Sequence, residues 1–210
     1  MKKMVSLGLV LVLCFTFLPS CAKLDTTGLL EAAPALIKKS IELNEIYYGE
    51  GIPYNEGGVP IGNSYPADKD YLDEHGFHTI DELKALTSKV FSENYCRAIF
   101  ASVLSGFSAE GSGYIYARYS SSQAEAIRDE NETILVSSTA TSSLAHIISM
   151  EYDYAGIRLG KVDRKYAMVL IPTITVFAPD EEHSTEYTVT EETEIKFVYE
   201  NGWRIDSATY

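Results

Sequence analysis

Apolar positions recur at helical spacing in the first half of the chain and alternate in the second. Ala33, Ile37, Ile41 and Tyr48 form an apolar stripe that predicts a helix over residues 34–48, with Pro34 as an early helical residue and Gly49 and Gly51 as its stop. Residues 50–66 carry Pro53, Gly57, Gly58, Pro60, Gly62 and Pro66 and are expected to form one long surface loop. Thr79 and Glu82 have capping-box spacing, and Ile80, Leu83, Leu86, Val90 and Phe91 then recur on one face, predicting a second helix. Ser92 is the expected cap of a third helix through Leu104, closed by Gly106. From Gly113 onward the period is two. Tyr187, Val189, Ile195, Phe197 and Tyr199 alternate with Thr188, Thr190, Glu194 and Lys196, as in a strand with one wet face. Asn201-Gly202 then separates it from Trp203-Arg204-Ile205 as a two-residue type I′ turn would. Pro179-Asp180-Glu181-Glu182 separates it from a strand over 166–177, and weaker strands are expected near 114–119, 133–140 and 144–154.

Helices followed by strands imply an α+β domain, with N-terminal helices packed on an antiparallel sheet that ends in a three-stranded meander. The N-terminus changes the picture of where that domain works. Lys2 and Lys3 precede an apolar run, residues 5–18, that is too short to be a comfortable membrane span and fits a signal segment. It closes on Leu18-Pro19-Ser20-Cys21, which is similar to a bacterial lipoprotein signal. The expected division is a signal peptide over 1–20, a lipid-anchored linker over 21–33 and a single domain over 34–210. Cys21 is then the lipidated residue and the location is the outer face of the cell membrane, held by lipid only. Ordinary cleavage nearby and secretion is the alternative. Of the three cysteines, Cys14 leaves with the signal and Cys21 takes the lipid, so Cys96 is the one thiol of the domain, expected to be buried and inert.

The formal net charge is −13, and loss of Lys2 and Lys3 makes it −15. Nucleic acid is excluded as a natural partner, and a basic protein or a cationic ligand fits better, although acidic surfaces also serve plain solubility.

His78-Thr79-Ile80-Asp81-Glu82-Leu83, Gly113-Tyr114-Ile115-Tyr116 and the run from Tyr199 to Ile205 carry a family resemblance. The chain resembles Gram-positive extracytoplasmic lipoproteins with a nuclear-transport-factor-2-like or cystatin-like architecture, a cone of helices on a curved sheet. More distantly it resembles the secreted inhibitors of cell-wall D,L-endopeptidases. The resemblance implies docking of an acidic surface onto a basic wall hydrolase. Ser120 to Glu132 and the Ser/Thr run over 137–143 depart from that pattern.

No catalytic constellation stands out. Asp68-Lys69-Asp70-Tyr71-Leu72-Asp73-Glu74 lacks calcium-loop spacing and is expected to be solvated loop, and His75-Gly76-Phe77-His78 is expected to be a turn, so neither a metal nor another cofactor is implied. No serine or cysteine nucleophile motif is present. Three functions follow. The first is a protein-binding module contacting a basic extracellular partner such as a wall endopeptidase through Tyr54, Val59 and Ile61 of the 50–66 loop. The second is a small-ligand binder with a cavity lined by His146, Tyr152, Tyr154, Tyr166 and Trp203, since Leu144, His146, Ile148, Met150, Tyr152 and Tyr154 share strand parity. The third is an isomerase-like enzyme, which would need an acid or base beside His146.

Overall fold

The structure, a computed structural model, describes residues 23–54, 57, 61–105, 107–109, 113–115, 117–122 and 133–210. The signal segment, Cys21 and Val59 lie outside them. The first helix, α1, spans Leu29–Tyr48, so it begins five residues before Pro34, within the expected linker, and encloses that proline. The missing Pro34 N–H deprives the Leu30 carbonyl of its helical donor, and Leu30 is 41% exposed, where solvent can serve that carbonyl. The buried face of α1 is Leu29, Ala33, Ile37, Ser40, Leu43, Asn44, Ile46 and Tyr47. This row has helical period but two polar members, and Ile41 falls beside it at 37% exposure, a correction to the expected stripe.

Among the described residues three shorter α-helices follow: α2 Lys69–His75, α3 Ile80–Ser88 and α4 Glu93–Val103. The acidic run expected as solvated loop is α2. Asp68 caps it by accepting from the Tyr71 N–H at 2.9 Å, and Gly76 closes it in the left-handed conformation. The capping box of α3 forms as expected, with Thr79 Oγ1 accepting from the Glu82 N–H at 3.2 Å and Glu82 Oε2 accepting from the Thr79 N–H at 3.3 Å. Because α3 stops at Ser88, Val90 and Phe91 do not extend its face; they link α3 to α4 and lie in the core. Ser92 caps α4 by accepting from the Tyr95 N–H at 3.0 Å. Cys96 is buried in α4, and burial pushes its thiol up, away from the reactive thiolate.

The strands are β1 Ser64–Pro66, β2 Phe107–Ala109, β3 Gly113–Ile115, β4 Tyr119–Ser122, β5 Thr133–Ser137, β6 Ile147–Tyr152, β7 Arg158–Val162, β8 Ala167–Phe177, β9 Tyr187–Tyr199 and β10 Trp203–Ile205. The main sheet runs β10-β9-β8-β6 with β7 also on β8, a second runs β1-β5-β4, and β2 pairs β3, all antiparallel. The fold is therefore α+β, helices packed with a curved antiparallel sheet whose last three strands form a meander. A single core joins α1, Ile52, Leu72 and Phe77, the two following helices, Tyr119, Ile134, Val136 and the inner face of the main sheet. The expected long loop contributes to it: Ile52 is buried and β1 occupies its end.

The expected strand over 144–154 is shorter, and its continuation was not evident from the pattern. β6 takes residues 173–177 of β8 and β7 takes residues 167–170 of the same edge, so the two lie end to end. Pro172 sits at the junction. Its carbonyl accepts from the Asp153 N–H at 2.9 Å, and its nitrogen, with no hydrogen to give, faces the same break, which the short 3₁₀ turn Tyr154–Gly156 fills.

The β9–β10 connection differs in length from the expectation. Tyr199 pairs with Trp203, so Glu200, Asn201 and Gly202 form a three-residue link instead of a two-residue turn. The demand on backbone conformation is unchanged, because Asn201 has φ 55° and Gly202 φ 131°. Gly202→Val is accordingly expected to lower stability by about 1–3 kcal/mol, the usual cost of a strained backbone position, and a thermal melt superimposable on wild type would refute it. In the β8–β9 link, Asp180 Oδ1 accepts the N–H groups of Glu182 and His183 at 2.8 and 2.7 Å, and Oδ2 accepts the Tyr187 hydroxyl at 2.9 Å. Those bonds, the His183 N–H foremost, hold its carboxyl at about 2.

Candidate functional site: a pocket between the first helix and strand β6

The C-terminus of α1 ends inside the protein, where each last carbonyl needs a donor. Remote residues supply them. Arg118, 8% exposed, donates through Nη1 to the Tyr47 carbonyl at 3.0 Å and through Nη2 to the Gly49 carbonyl at 2.6 Å. The Tyr119 hydroxyl donates to the Ile46 carbonyl, and the Ser143 N–H donates to the Tyr48 carbonyl at 2.8 Å. Gly51, at φ 89°, brings the chain so close that an added Cβ would lie 2.4 Å from Arg118 Nη2. The Ser/Thr run over 137–143 thus helps terminate this helix.

The two polar residues on the buried face of α1 belong to a directed relay. The Ser40 hydroxyl donates to the Ile37 carbonyl at 2.7 Å, so its oxygen accepts from the Thr209 hydroxyl at 2.8 Å. Thr209 Oγ1 in turn accepts from Asn44 Nδ2 at 2.7 Å. This order fixes the Asn44 amide with nitrogen towards Thr209, and leaves its Oδ1 buried without a partner among the described residues. The Thr209 carbonyl accepts from the Tyr152 hydroxyl at 2.7 Å, whose burial pushes its ionisation up and keeps the proton in place.

Asn44 and Thr209 line a pocket of about 470 Å³. Ile41 and Glu45 of α1, Glu50 after it, and Ser142, Leu144 and Ala145 form one side; β6 from Ile147 to Met150, with Tyr210, forms the other. Its walls mix apolar side chains with Asn44, Ser142, Ser149 and Thr209, and its carboxylates Glu45 and Glu50 stand at exposed positions. Among the described residues no lysine or arginine lines it, and no group of His, Cys, Asp and Glu could hold a metal ion.

The expected cavity residues lie elsewhere, which corrects their grouping. His146 precedes β6 and is exposed, its ring 6.1 Å from that of Phe177, because the register breaks between Ile147 and Ser149 and ends the assumed parity. Tyr152 points to the Thr209 carbonyl, and Tyr154 sits in the 3₁₀ turn under Lys38, whose Nζ is 5.0 Å from the ring centre. Tyr166 lies between Lys161 and Lys196, and Trp203 is buried with its Nε1–H donating to the Thr27 carbonyl at 3.4 Å. None of the five lines this pocket. Of the expected protein-contact residues, Tyr54 stacks on Tyr65 at 5.3 Å and Ile61 bridges to Ser64, both half-buried. Asn44 and Thr209 were not singled out from sequence, although Ser40 and Asn44, four apart within an apolar helical row, are a signal for a buried polar network.

No helix among the described residues is long and apolar enough to cross a membrane. Compared with models of protein families, with curated proteins and with solved structures, the chain finds no match.

Proposed function

We propose that the protein is an extracytoplasmic binding protein that takes a small amphipathic ligand in the pocket between α1 and β6. The observation that carries this reading is a pocket of about 470 Å³ that α1, strand β6 and the C-terminal residues Thr209 and Tyr210 enclose between them. A volume above about 300 Å³ is what a small-molecule site requires. The uncharged dye Nile red is expected to bind at one site, and Met150→Trp, which fills the pocket from β6, to abolish binding while leaving the melting temperature within a few degrees. Equal binding by both proteins would place the dye elsewhere and remove this support. The proposed location is the outer face of the cell membrane, with Cys21 acylated. Lipid labelling in cells that disappears in Cys21→Ala tests it, and no label on the wild type refutes it.

A second reading keeps the resemblance to wall-hydrolase inhibitors, with a basic wall D,L-endopeptidase as partner. The net charge of −13 favours it, with Glu191 and Glu194 exposed on β9 beside Glu192, which Arg158 already holds. Charge would set the association rate and Tyr54 and Ile61 the dissociation rate. Added salt should slow association, and Tyr54→Ala with Ile61→Ala should speed dissociation; no binding at micromolar excess ends this reading.

A further inference from the structure

We propose that the β7–β8 hairpin is a membrane-facing surface that rests on anionic phospholipid headgroups and turns the acidic remainder of the domain away from the bilayer. The inference rests on the proposed location at the membrane and is independent of the pocket. Residues 158–166 carry Arg158, Lys161, Arg164 and Lys165 against Asp163, in a chain of net charge −13. All four cations are exposed. Arg158 is held by Glu192 across the sheet at 2.7 Å, so the positive excess lies towards the tip of the hairpin. Tyr166 sits there half-buried, with Lys161 Nζ 5.8 Å and Lys196 Nζ 5.3 Å from its ring centre. An amphipathic ring flanked by cations suits the headgroup level of a bilayer. Of the carboxylates at this end, Asp206 holds Lys196 at 2.6 Å, and Asp163, Asp25 and Glu200 each accept a backbone N–H.

The chain approaches Cys21 at the same tip. The Leu24 N–H donates to the Asp163 carbonyl at 2.9 Å, which places the exposed Lys23 beside the hairpin, two positions after the proposed acylation site. The other end of β8 is acidic, because Asp180, Glu181, Glu182 and Glu186 of the β8–β9 link are all exposed. β8 is 11 residues long. Its ends are therefore about 30 Å apart, some three Debye lengths at 0.1 M salt. A negatively charged surface attracts the hairpin at contact, while its repulsion of the distant carboxylates is screened. That separation lets a chain of net charge −13 rest on an anionic bilayer, which its total charge alone would oppose.

The mature chain beginning at Cys21, coupled through that thiol to a maleimide lipid and displayed on vesicles of phosphatidylglycerol or phosphatidylcholine, tests the assignment. Cys96 is buried and does not compete for the coupling. Lysine labelling by an uncharged acylating reagent is then read residue by residue by mass spectrometry. Lys161 and Lys165 are expected to react about fivefold or more slowly on phosphatidylglycerol than on phosphatidylcholine, the attraction of a single cation to such a surface. The exposed Lys69 of α2, tied through Asp68 to Pro53 beyond the C-terminal end of α1, is expected to react equally on both. High salt should remove the difference. Lys161→Glu with Lys165→Glu, both at the surface, should return Lys23 to one rate on the two lipids. Equal labelling of Lys161 and Lys165 on both lipids would overturn the proposal, as would protection that is the same on phosphatidylcholine or survives high salt. The coupling does not depend on acylation in the cell, so loss of the lipoprotein reading, seen as a wild type without lipid label, is distinguishable from loss of this one.

Discussion

Trp203→Ala is expected to lower folding stability by about 3–5 kcal/mol, the range for deleting a large buried aromatic side chain. Trp203 is 7% exposed, packs edge-on against Tyr199 with ring centres 5.3 Å apart, and ties β10 to the start of α1 through the Thr27 carbonyl. Its loss leaves a cavity where the final strand meets the first helix. Trp203→Phe keeps much of the ring volume and forfeits the indole donor, so its cost should fall to about 1–2 kcal/mol. Urea unfolding of the three proteins, read from the far-ultraviolet helix signal, measures both. A midpoint for Trp203→Ala within error of wild type would show that the indole contributes no net packing.

The second large effect is expected at Arg118. Arg118→Met retains an unbranched apolar stem but removes the guanidinium from the Tyr47 and Gly49 carbonyls. Leaving two buried carbonyls unserved should cost about 2–4 kcal/mol, after allowing for relief of a buried charge. α1 has no basic residue in its last turn, so Arg118 is also the cation that faces the negative end of its dipole. Arg118→Lys, with a single point of contact, should recover only part of the loss. Nile red binding should weaken alongside, because the end of α1 that frays carries Asn44 and Glu45. A variant as stable as wild type would mean that solvent reaches those carbonyls and replaces the guanidinium.

Elements held by near neighbours in the chain could be read directly. The Thr79–Glu82 box, the Ser92 cap and the long β8–β9 pair each depend on bonds or alternation spanning a few residues, and each forms where the pattern places it. The α+β class followed from the order of those elements. Pattern was weaker where one residue type serves two geometries: Asp68 is equally at home in a solvated loop and as a helix cap, and Pro34 stands in the interior of α1 because the orphaned carbonyl faces solvent.

The sequence by itself determined the helical and alternating periods, the caps that start α3 and α4, the acidic charge and the absence of any recognisable nucleophile motif. The end of α1 at Tyr48 was legible from Gly49 and Gly51, but tertiary structure alone decided what lies beside it, because its terminal carbonyls are served by Arg118 and Tyr119, and Asn44 is oriented by Thr209, 165 residues away. It also broke the parity that grouped His146 with Tyr152, since a register shift at Ile147 turns the intervening residues while Pro172 interrupts the neighbouring edge. Period and spacing record bonds between near neighbours; a pocket is made by residues whose proximity is purchased through the packing of distant segments, and their local pattern carries no term for it.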